Sequence, residues 1–237
     1  MIQSPTNGPA LTFTADGKCD GRMLFGIPDH DPYYRLVQWA NGTPGLHAFT
    51  HDFHRLQVEY WVWVKVKEEQ ARLASQPCPV FDIGVYEPRA WVGPDYQPVG
   101  VDATGDTHGL SLDVVTDAPV TPARIVICTE VLEHCIDPFA AARNLLRWLE
   151  PGGLLVATGP FIWPDHRTEH YPDYWRFTEQ GWRVLLADWE DVLVQPCGWS
   201  KGGHAAWYLL RDMESMGTMP DQRGATGYLV TARRPCA

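Results

Sequence analysis

The sequence lacks any apolar run that approaches the ~20 residues a helix needs to cross a bilayer, which predicts no membrane partner. Its six cysteines include no CxxC pair. The first ten residues, MIQSPTNGPA, do not show the charged and then apolar pattern of a secretion signal. Together these absences predict a soluble chain that works in the cytoplasm with reduced thiols.

An excess of basic residues is also missing. Lysine and arginine total 19 against 29 aspartate and glutamate residues, so the net charge is −10. Sequence-independent attraction to nucleic acid comes from clustered positive charge, and this balance therefore disfavours nucleic acid as a partner. With 237 residues, of which 45% are hydrophobic and 20% charged, the chain has the size and composition of one globular α/β core.

Short apolar runs alternate with helical patterns along the chain. The predicted strands are 80–84, 98–102, 112–115, 124–130, 154–159, 192–197 and 227–234, and the predicted helices include one over 52–73 and one over 178–187. A further helix is expected to begin with Asp137 as its cap and Pro138 in its first turn, and to be stopped by Pro151-Gly152-Gly153. Such alternation indicates a parallel sheet covered on both faces, which binds ligands at the carboxyl ends of its strands.

Acidic residues follow three of the predicted strands: Asp102, Asp117 and Glu130. A carboxylate at the end of the second strand can accept two hydrogen bonds from a ribose diol, which suits a nucleoside ligand. A single aspartate at a strand exit is better explained as an ordinary polar end. The first strand is not followed by a GxGxxG loop, and this argues against a nucleotide-binding oxidoreductase.

Two longer segments carry a resemblance to a known family. TEVLEHCIDPFAAARNLLRWLEPGGLLVATGPF (129–161) and HYPDYWRFTEQGWRVLL (170–186) resemble class I S-adenosylmethionine (SAM) dependent methyltransferases, in particular a methyltransferase type 11-like subgroup with EVLEH, PGG and DYWRFT. The resemblance spans residues 80–186. It implies a Rossmann-like α/β fold with a mostly parallel sheet, an antiparallel last strand and helices on both faces. We expect an N-terminal arm or cap over 1–51 and the methyltransferase domain over 52–237.

The resemblance implies six SAM contacts: Asp82 and Gly84 beside the methionine part, Asp102 at the ribose, Asp117 at the adenine amino group, and Thr129 with Glu130 beneath the sulfonium. The first loop departs from the family pattern. The family has a glycine-rich DxGxGxG loop because backbone passes close to the cofactor, whereas this chain reads DIGVYEPRAW and keeps only Gly84. Either SAM binds in an adjusted pose, or it binds with reduced affinity, or the domain is a non-catalytic binding module that has lost it. The three acidic residues after the strands are all present, which favours a working site.

Three histidines are candidates for a general base: His134 directly after Glu133, and His166 and His170 after the fifth strand. For each of them alone, a local structural role is an equally good explanation. The same loop supplies candidate substrate-binding residues, namely Tyr171, Asp173, Tyr174 and Trp175, while Arg176 is expected to brace the loop. The concentration of these side chains favours binding of a methyl acceptor.

A second histidine cluster, HAFTHDFH, places His47, His51 and His54 at a spacing that fits one helix face. Because no glutamate or cysteine stands in the usual relation to them, we predict no metal site.

The resulting hypothesis is a SAM-dependent methyltransferase that acts on a small molecule or glycan, at oxygen in preference to nitrogen. The sequence leaves open whether residues 1–51 cover the acceptor or contribute a homodimer contact.

Overall fold

The computed structural model describes residues 12–13, 19–20, 53–74, 76–84, 89–100, 110–111, 113–163, 165–167, 171–197 and 227–236. Its strands are β1 (Thr12–Phe13), β2 (Cys19–Asp20), β3 (Val80–Ile83), β4 (Tyr96–Gly100), β5 (Leu110–Ser111), β6 (Ala123–Thr129), β7 (Leu149–Pro160), β8 (Glu190–Cys197) and β9 (Gly227–Arg233). The helices are α1 (Phe53–Leu73), α2 (Pro138–Trp148) and α3 (Glu179–Leu185), with single 3-10 turns at Ala90–Val92 and Leu132–His134. None of these described helices is both long and apolar enough to cross a membrane.

Seven of the described strands form one sheet in the order β5-β4-β3-β6-β7-β9-β8. Strands β3 to β7 are parallel to one another, and β9 runs antiparallel to both β7 and β8. The predicted sheet, mostly parallel with an antiparallel last strand, is therefore confirmed. The arm predicted over 1–51 lies almost wholly outside the described residues, apart from the antiparallel pair β1 and β2.

The central strand β6 shows how both faces of the sheet are covered. Ile125 and Ile127 pack with Val62 and Val66 of α1 on one face. Their neighbours Val126 and Cys128 point to the opposite face, where they join residues of α2 and α3 in a second cluster. Because successive side chains of a strand alternate between its faces, a continuous apolar run such as ARIVICT requires a cover on each side. The prediction of helices on both faces is confirmed.

Helix α2 begins as predicted: the Asp137 side chain accepts a hydrogen bond from the Ala140 amide at 2.9 Å, and Pro138 occupies the first turn. Its end differs from the prediction, because the helix stops at Trp148 and β7 already begins at Leu149. The Pro-Gly-Gly segment therefore lies within β7. There the Gly152 amide donates to the Arg234 carbonyl at 2.9 Å, which extends the pairing of this end of the strand.

The third predicted strand, 112–115, is wrong in position. The strand at this edge is β5, two residues earlier, and residues 114–116 form a turn. In that turn the Asp113 carboxylate accepts from the Val115 amide at 2.7 Å, and the Asp117 carboxylate accepts from the Asp113 amide at 2.9 Å. Aspartate side chains bond nearby backbone in this way, and a short turn competes successfully with a strand.

Candidate functional site

The carboxyl ends of β3 and β6 lie side by side, since Asp82 pairs in register with Ile127 and Ile83 with Cys128. This brings the predicted cofactor residues Asp82 and Thr129 to one edge of the sheet. The edge is the place where open α/β sheets bind their ligands. Asp102 lies outside the described residues, so its predicted role at a ribose stays a prediction.

Arg89 connects these strand ends. Its Nη1 donates to both carboxylate oxygens of Asp82 at 2.7 Å, and its Nη2 donates to Thr129 Oγ1 at 3.2 Å. The same guanidinium reaches back to α1, where Nε and Nη2 donate to the two carboxylate oxygens of Glu59 at 3.0 and 2.7 Å. Tyr96 completes the shell around the Asp82 carboxylate by donating its hydroxyl at 2.8 Å.

The Arg89 cluster is buried, with the Asp82 side chain fully shielded and 11% of the Arg89 side chain exposed. Burial by itself would lower the pKa of Arg89. The negative charges of Asp82 and Glu59 outweigh that effect and raise its pKa well above the ordinary value. The guanidinium therefore stays charged and forms a two-sided ion pair, which is the arrangement that makes a buried charge tolerable.

Two cofactor candidates have a left-handed backbone. Gly84 has φ of 73°, and its amide donates to the Val99 carbonyl at 3.0 Å. Glu130 has φ of 54°, which is strained for a residue with a side chain. Its carboxylate accepts from Thr158 Oγ1 at 2.7 Å and its amide donates to the Thr158 carbonyl at 3.3 Å. These bonds hold the residue where β6 leaves the sheet.

Asp117 is exposed in its turn, and its carboxylate accepts from the Asp113 amide and from the Thr116 hydroxyl. Its backbone carbonyl accepts from Trp148 Nε1 at 2.9 Å and from the Asn144 side-chain amide. The turn is thus anchored to side chains of α2 through its main chain, while the Asp117 carboxylate bonds within the turn. A role for Asp117 at adenine remains a prediction.

The EVLEH and DYWRFT segments are joined in the structure. The Glu133 carbonyl accepts from the Tyr174 amide at 2.8 Å and from the Trp175 amide at 3.2 Å. Trp175 Nε1 donates to the Cys135 carbonyl at 2.8 Å. His134 is tied to the same loop, because its Nδ1 is hydrogen-bonded to the Pro172 carbonyl. A carbonyl can only accept, so His134 carries its proton on Nδ1 and leaves Nε2 as an acceptor.

Asp173 and Arg176 brace the loop that carries His166. Arg176 donates to the two Asp173 oxygens at 2.6 Å each, and also to the Trp163 and Trp175 carbonyls. Asp173 accepts from the His166 amide at 2.9 Å, and its Oδ2 lies 3.0 Å from His166 Nδ1. Only 1% of the Asp173 side chain is exposed. Arg176 braces the loop as expected, and Asp173 does so too.

The predicted catalytic histidines are partly brought together. The ring centroids of His134 and His166 lie 5.1 Å apart, edge to face, and the ring centroid of Tyr171 lies 6.1 Å from that of His134. His170 lies outside the described residues. Three of the predicted substrate-binding residues are exposed beside this pair: Tyr171, Tyr174 and Trp175. Aromatic faces exposed next to imidazoles suit an acceptor that presents a flat apolar surface and a polar edge.

Sequence reasoning missed Glu133 as a site residue. Its side chain is completely buried at the turn after β6, and neither carboxylate oxygen has a hydrogen-bond partner among the described residues. Burial raises the pKa of this carboxyl well above its usual value, and the neighbouring charge of Glu130 raises it further. The sequence signals this residue only by its position between Glu130 and His134. Glutamate is common in turns, so that position does not indicate a functional role.

No known protein-family model matches the chain, and no curated protein does. Solved structures resemble it in fold. NodS, an N-methyltransferase from Bradyrhizobium japonicum WM9 in complex with S-adenosyl-L-homocysteine, is 14% identical over 86% of this chain and 100% of its own, with a TM-score of 0.46. Phosphoethanolamine N-methyltransferase 2 of Haemonchus contortus, in complex with SAM, is 12% identical over 88% of this chain and 61% of its own, with a TM-score of 0.43. The [4+2]-cyclase SpnF is 14% identical over 73% of this chain and 81% of its own, with a TM-score of 0.41. The order of the seven-stranded sheet, in which β9 is the single antiparallel strand, is that of a Rossmann-like α/β fold and agrees with the fold that the resemblance to class I methyltransferases implies.

Proposed function

We propose that this protein is a SAM-dependent methyltransferase that methylates a hydroxyl oxygen of a small molecule or glycan in the cytoplasm. The observation that carries the proposal is the setting of His134 at the carboxyl end of β6. Its Nδ1 is held by the Pro172 carbonyl, so Nε2 is the nitrogen left to accept a proton. A hydroxyl acceptor needs such a base, and Tyr171 and Trp175 are exposed beside it.

SAM supplies a methyl group on a sulfonium that already carries a good leaving group, so the chain's main task is alignment. In the proposal Asp82, Gly84 and Thr129 border one part of the cofactor, and Asp102, Asp117 and Glu130 border the rest. The acidic edge of the sheet suits a ligand with an amine, a sulfonium and a ribose diol. The Asp82 carboxylate is already bound by Arg89, so the methionine part would share that carboxylate or displace the guanidinium.

The acceptor side rests on the loop that follows β7. His166 is braced by Asp173, and Tyr174 is anchored through its amide to the Glu133 carbonyl, so the loop offers a fixed surface. We place the acceptor against Tyr171, Tyr174 and Trp175, with Asp173 as the group that orders them. His166 and His170 are the other candidate bases. Nitrogen is the alternative acceptor atom, and an amine that is already neutral would need none of the three histidines.

Calorimetric titration with SAM and with S-adenosyl-L-homocysteine tests cofactor binding directly. We expect Asp102→Ala to weaken both ligands more than Asp188→Ala, an exposed aspartate after α3 that serves as the control. A ligand at 100 times its dissociation constant should also raise the unfolding free energy by about 2.7 kcal/mol. The absence of binding at millimolar concentration of either ligand would rule out the enzyme proposal.

A panel of hydroxylated small molecules and glycans, with release of S-adenosyl-L-homocysteine as the readout, tests the reaction. We then compare His134→Gln, His166→Gln and His170→Gln on the best acceptor. General base catalysis contributes about 100-fold or more, so we expect a loss of that size in His134→Gln alone. Equal rates in all three variants would contradict a histidine base and leave alignment as the whole mechanism.

A second candidate function is a binding module that has lost SAM. The Arg89 cluster favours it, because a guanidinium from the altered first loop fills the hydrogen-bonding capacity of Asp82 and contacts Thr129. In that case the wild-type chain should bind neither SAM nor S-adenosyl-L-homocysteine, whereas Arg89→Ala should gain measurable affinity. Binding of SAM to the wild type with a normal stoichiometry would contradict this second candidate.

A further inference from the structure

Three potential metal ligands converge where the turn after β6 meets the loop after β7. A carboxylate oxygen of Glu133 and one ring nitrogen each of His134 and His166 all lie within 4.8 Å of one another. Glu133 Oε1 and His134 Nε2 lie 3.8 Å apart. Two of the three ligands are neighbours in sequence, and the third comes from 32 positions further along the chain.

Glu133 is the feature of this cluster that most needs an explanation. Its side chain is fully buried, yet neither of its oxygens has a hydrogen-bond partner among the described residues. A buried polar group without a partner costs about 1–3 kcal/mol, and more when it is charged. Arg176, in the loop after β7, donates to Asp173, to backbone carbonyls and to His166 Nδ1. A bound cation would give the Glu133 oxygens the partner that they lack.

His134 is oriented as a metal ligand usually is, and His166 has a carboxylate beside its ring. His134 Nδ1 is hydrogen-bonded to the Pro172 carbonyl, and His166 Nδ1 lies 3.0 Å from a carboxylate oxygen of Asp173. Ligating histidines typically donate one ring N–H to a carbonyl or carboxylate, which fixes the ring and leaves the other nitrogen for the metal. In His134 the nitrogen left over is Nε2. His166 Nδ1, in contrast, lies between the Asp173 carboxylate and Arg176 Nη2, at 3.0 and 3.5 Å.

We propose that Glu133, His134 and His166 bind one divalent transition-metal cation of the zinc type. Two imidazoles and one carboxylate are a ligand set that such ions accept, and three protein ligands leave a coordination position open. Bonds of about 2.0–2.2 Å to one ion place ligand atoms roughly 3.4 Å apart in tetrahedral geometry. The cluster reaches that spacing when its side chains move inward by about 1 Å.

The backbone around the three ligands is fixed, so metal binding requires only this small movement of the side chains. The Leu132–His134 turn is fixed by the bonds of the Glu133 carbonyl to the Tyr174 and Trp175 amides. The His166 backbone is fixed by Asp173. The side chains of His134 and His166 are 20% and 34% exposed, so an ion can enter from solvent although Glu133 is buried. The site is thus held in place on the inside and open on the outside.

The cation site does not depend on methyl transfer, since all three ligands belong to this chain and none requires SAM. Its presence would change the chemistry proposed above, because a cation lowers the pKa of an oxygen bound to it. A bound ion would occupy Nε2 of His134, the nitrogen proposed above as the base, and an acceptor hydroxyl held at the open coordination position would release its proton to solvent water. The two schemes differ in whether a chelator abolishes activity.

The test uses the full chain without an affinity tag and without SAM, so that its result is separate from cofactor binding. Zn²⁺ is titrated calorimetrically, and Co²⁺ is followed by its visible absorption. The chain carries a second histidine group, so each titration is repeated with His47, His51 and His54 changed to asparagine. We expect one ion per chain in both proteins. If the triple variant loses the ion, or if neither metal binds, the proposal is wrong.

Variants of the ligands then locate the ion. Glu133→Gln keeps the shape of a buried side chain and removes its charge, and His166→Ala changes a partly exposed side chain, so both are expected to fold. Each should weaken Zn²⁺ by on the order of 100-fold, as loss of a ligand costs at least as much as loss of its supporting partner. Glu68→Gln, an exposed carboxylate on α1, is the control and should bind as the wild type does. Wild-type affinity in both ligand variants would overturn the site.

Discussion

Arg89 Nη1 donates to both carboxylate oxygens of Asp82, each at 2.7 Å, at the carboxyl end of β3. The pair is buried and is shared with Glu59 of α1, so one guanidinium ties the first loop to the helix and to the sheet. Removal of one partner of a buried ion pair leaves the other charge uncompensated, which costs about 3–5 kcal/mol. The first prediction concerns that asymmetry.

We predict that Arg89→Met lowers the free energy of unfolding by about 3–5 kcal/mol, because the carboxyl groups of Asp82 and Glu59 lose the partner that offsets their burial. The double variant with Asp82→Asn should be less destabilised than the single one, since it buries one fewer charge. Denaturant unfolding measures both. Arg183→Met is the control, because its pair with Glu179 on α3 is about half exposed and contributes at most about 1 kcal/mol. A double variant worse than Arg89→Met would contradict the argument.

A second buried ion-pair network is centred on Glu69 of α1. Its side chain is 2% exposed and receives Arg72 from its own helix, Arg124 from β6 and Arg233 from β9, at 2.5, 3.0 and 2.9 Å. Glu69→Gln should cost about 3 kcal/mol in denaturant unfolding, because three guanidinium groups lose their shared anion. The adjacent Glu68→Gln, whose side chain is 61% exposed and pairs only with Lys65, should cost less than about 1 kcal/mol. Equal losses of unfolding free energy in the two variants would show that burial does not determine how much these ion pairs stabilise the protein.

The same carboxylate gives the stability of the protein an acid dependence. Burial alone would raise the pKa of Glu69, but hydrogen bonds and positive charge from Arg72 and Arg233 outweigh it and lower the pKa from 4.5 to about 2. The folded state therefore releases this proton more readily than the unfolded state does. The stabilisation is fully present above about pH 4.5 and is lost as the pH falls towards 2.

This lowering of the Glu69 pKa corresponds to about 3 kcal/mol of folding stability at neutral pH. We predict that the gap in unfolding free energy between wild type and Glu69→Gln narrows as the pH is lowered from 5 to 2. Urea unfolding at a series of pH values measures the gap, with Glu68→Gln followed in parallel. A constant gap across the series would mean that the stabilisation by Glu69 does not come from its charge.

The sheet could be predicted from the sequence because its central strands are buried on both faces. Runs such as ARIVICT have no polar face, and this pattern is specific to strands covered by helices on each side. The start of α2 could be predicted for a local reason as well, since the Asp137 cap and Pro138 are adjacent in sequence. The edge strand β5 could not be located from the sequence, because a two-residue strand leaves no periodic pattern and the aspartates beside it favour a turn.

The site was harder to predict than the sheet. The sequence shows that the first loop lacks the family's glycines. It does not show the ion pair of Arg89 with Glu59, which lies 30 residues earlier on a different element. The joining of His134 to the loop was suggested by the motifs, whereas the missing partners of Glu133 depend on everything packed around it. Contacts between distant elements, and the absence of such contacts, leave no mark in the local sequence.

The last prediction concerns a close approach at Gly159 of β7. A Cβ at this position would lie 2.9 Å from Cζ2 of Trp182, a fully buried ring of α3 that also contacts Phe177. Gly159→Ala should therefore force the ring or the strand to move and should lower the unfolding free energy by about 1–3 kcal/mol. Gly181→Ala, one residue before the same tryptophan, meets only Thr178 Oγ1 at 3.4 Å and should stabilise α3 by up to about 1 kcal/mol. Because the two variants make the same chemical change with opposite expected signs, a shared sign in denaturant unfolding would show that contact with Trp182 is not what excludes a side chain at Gly159.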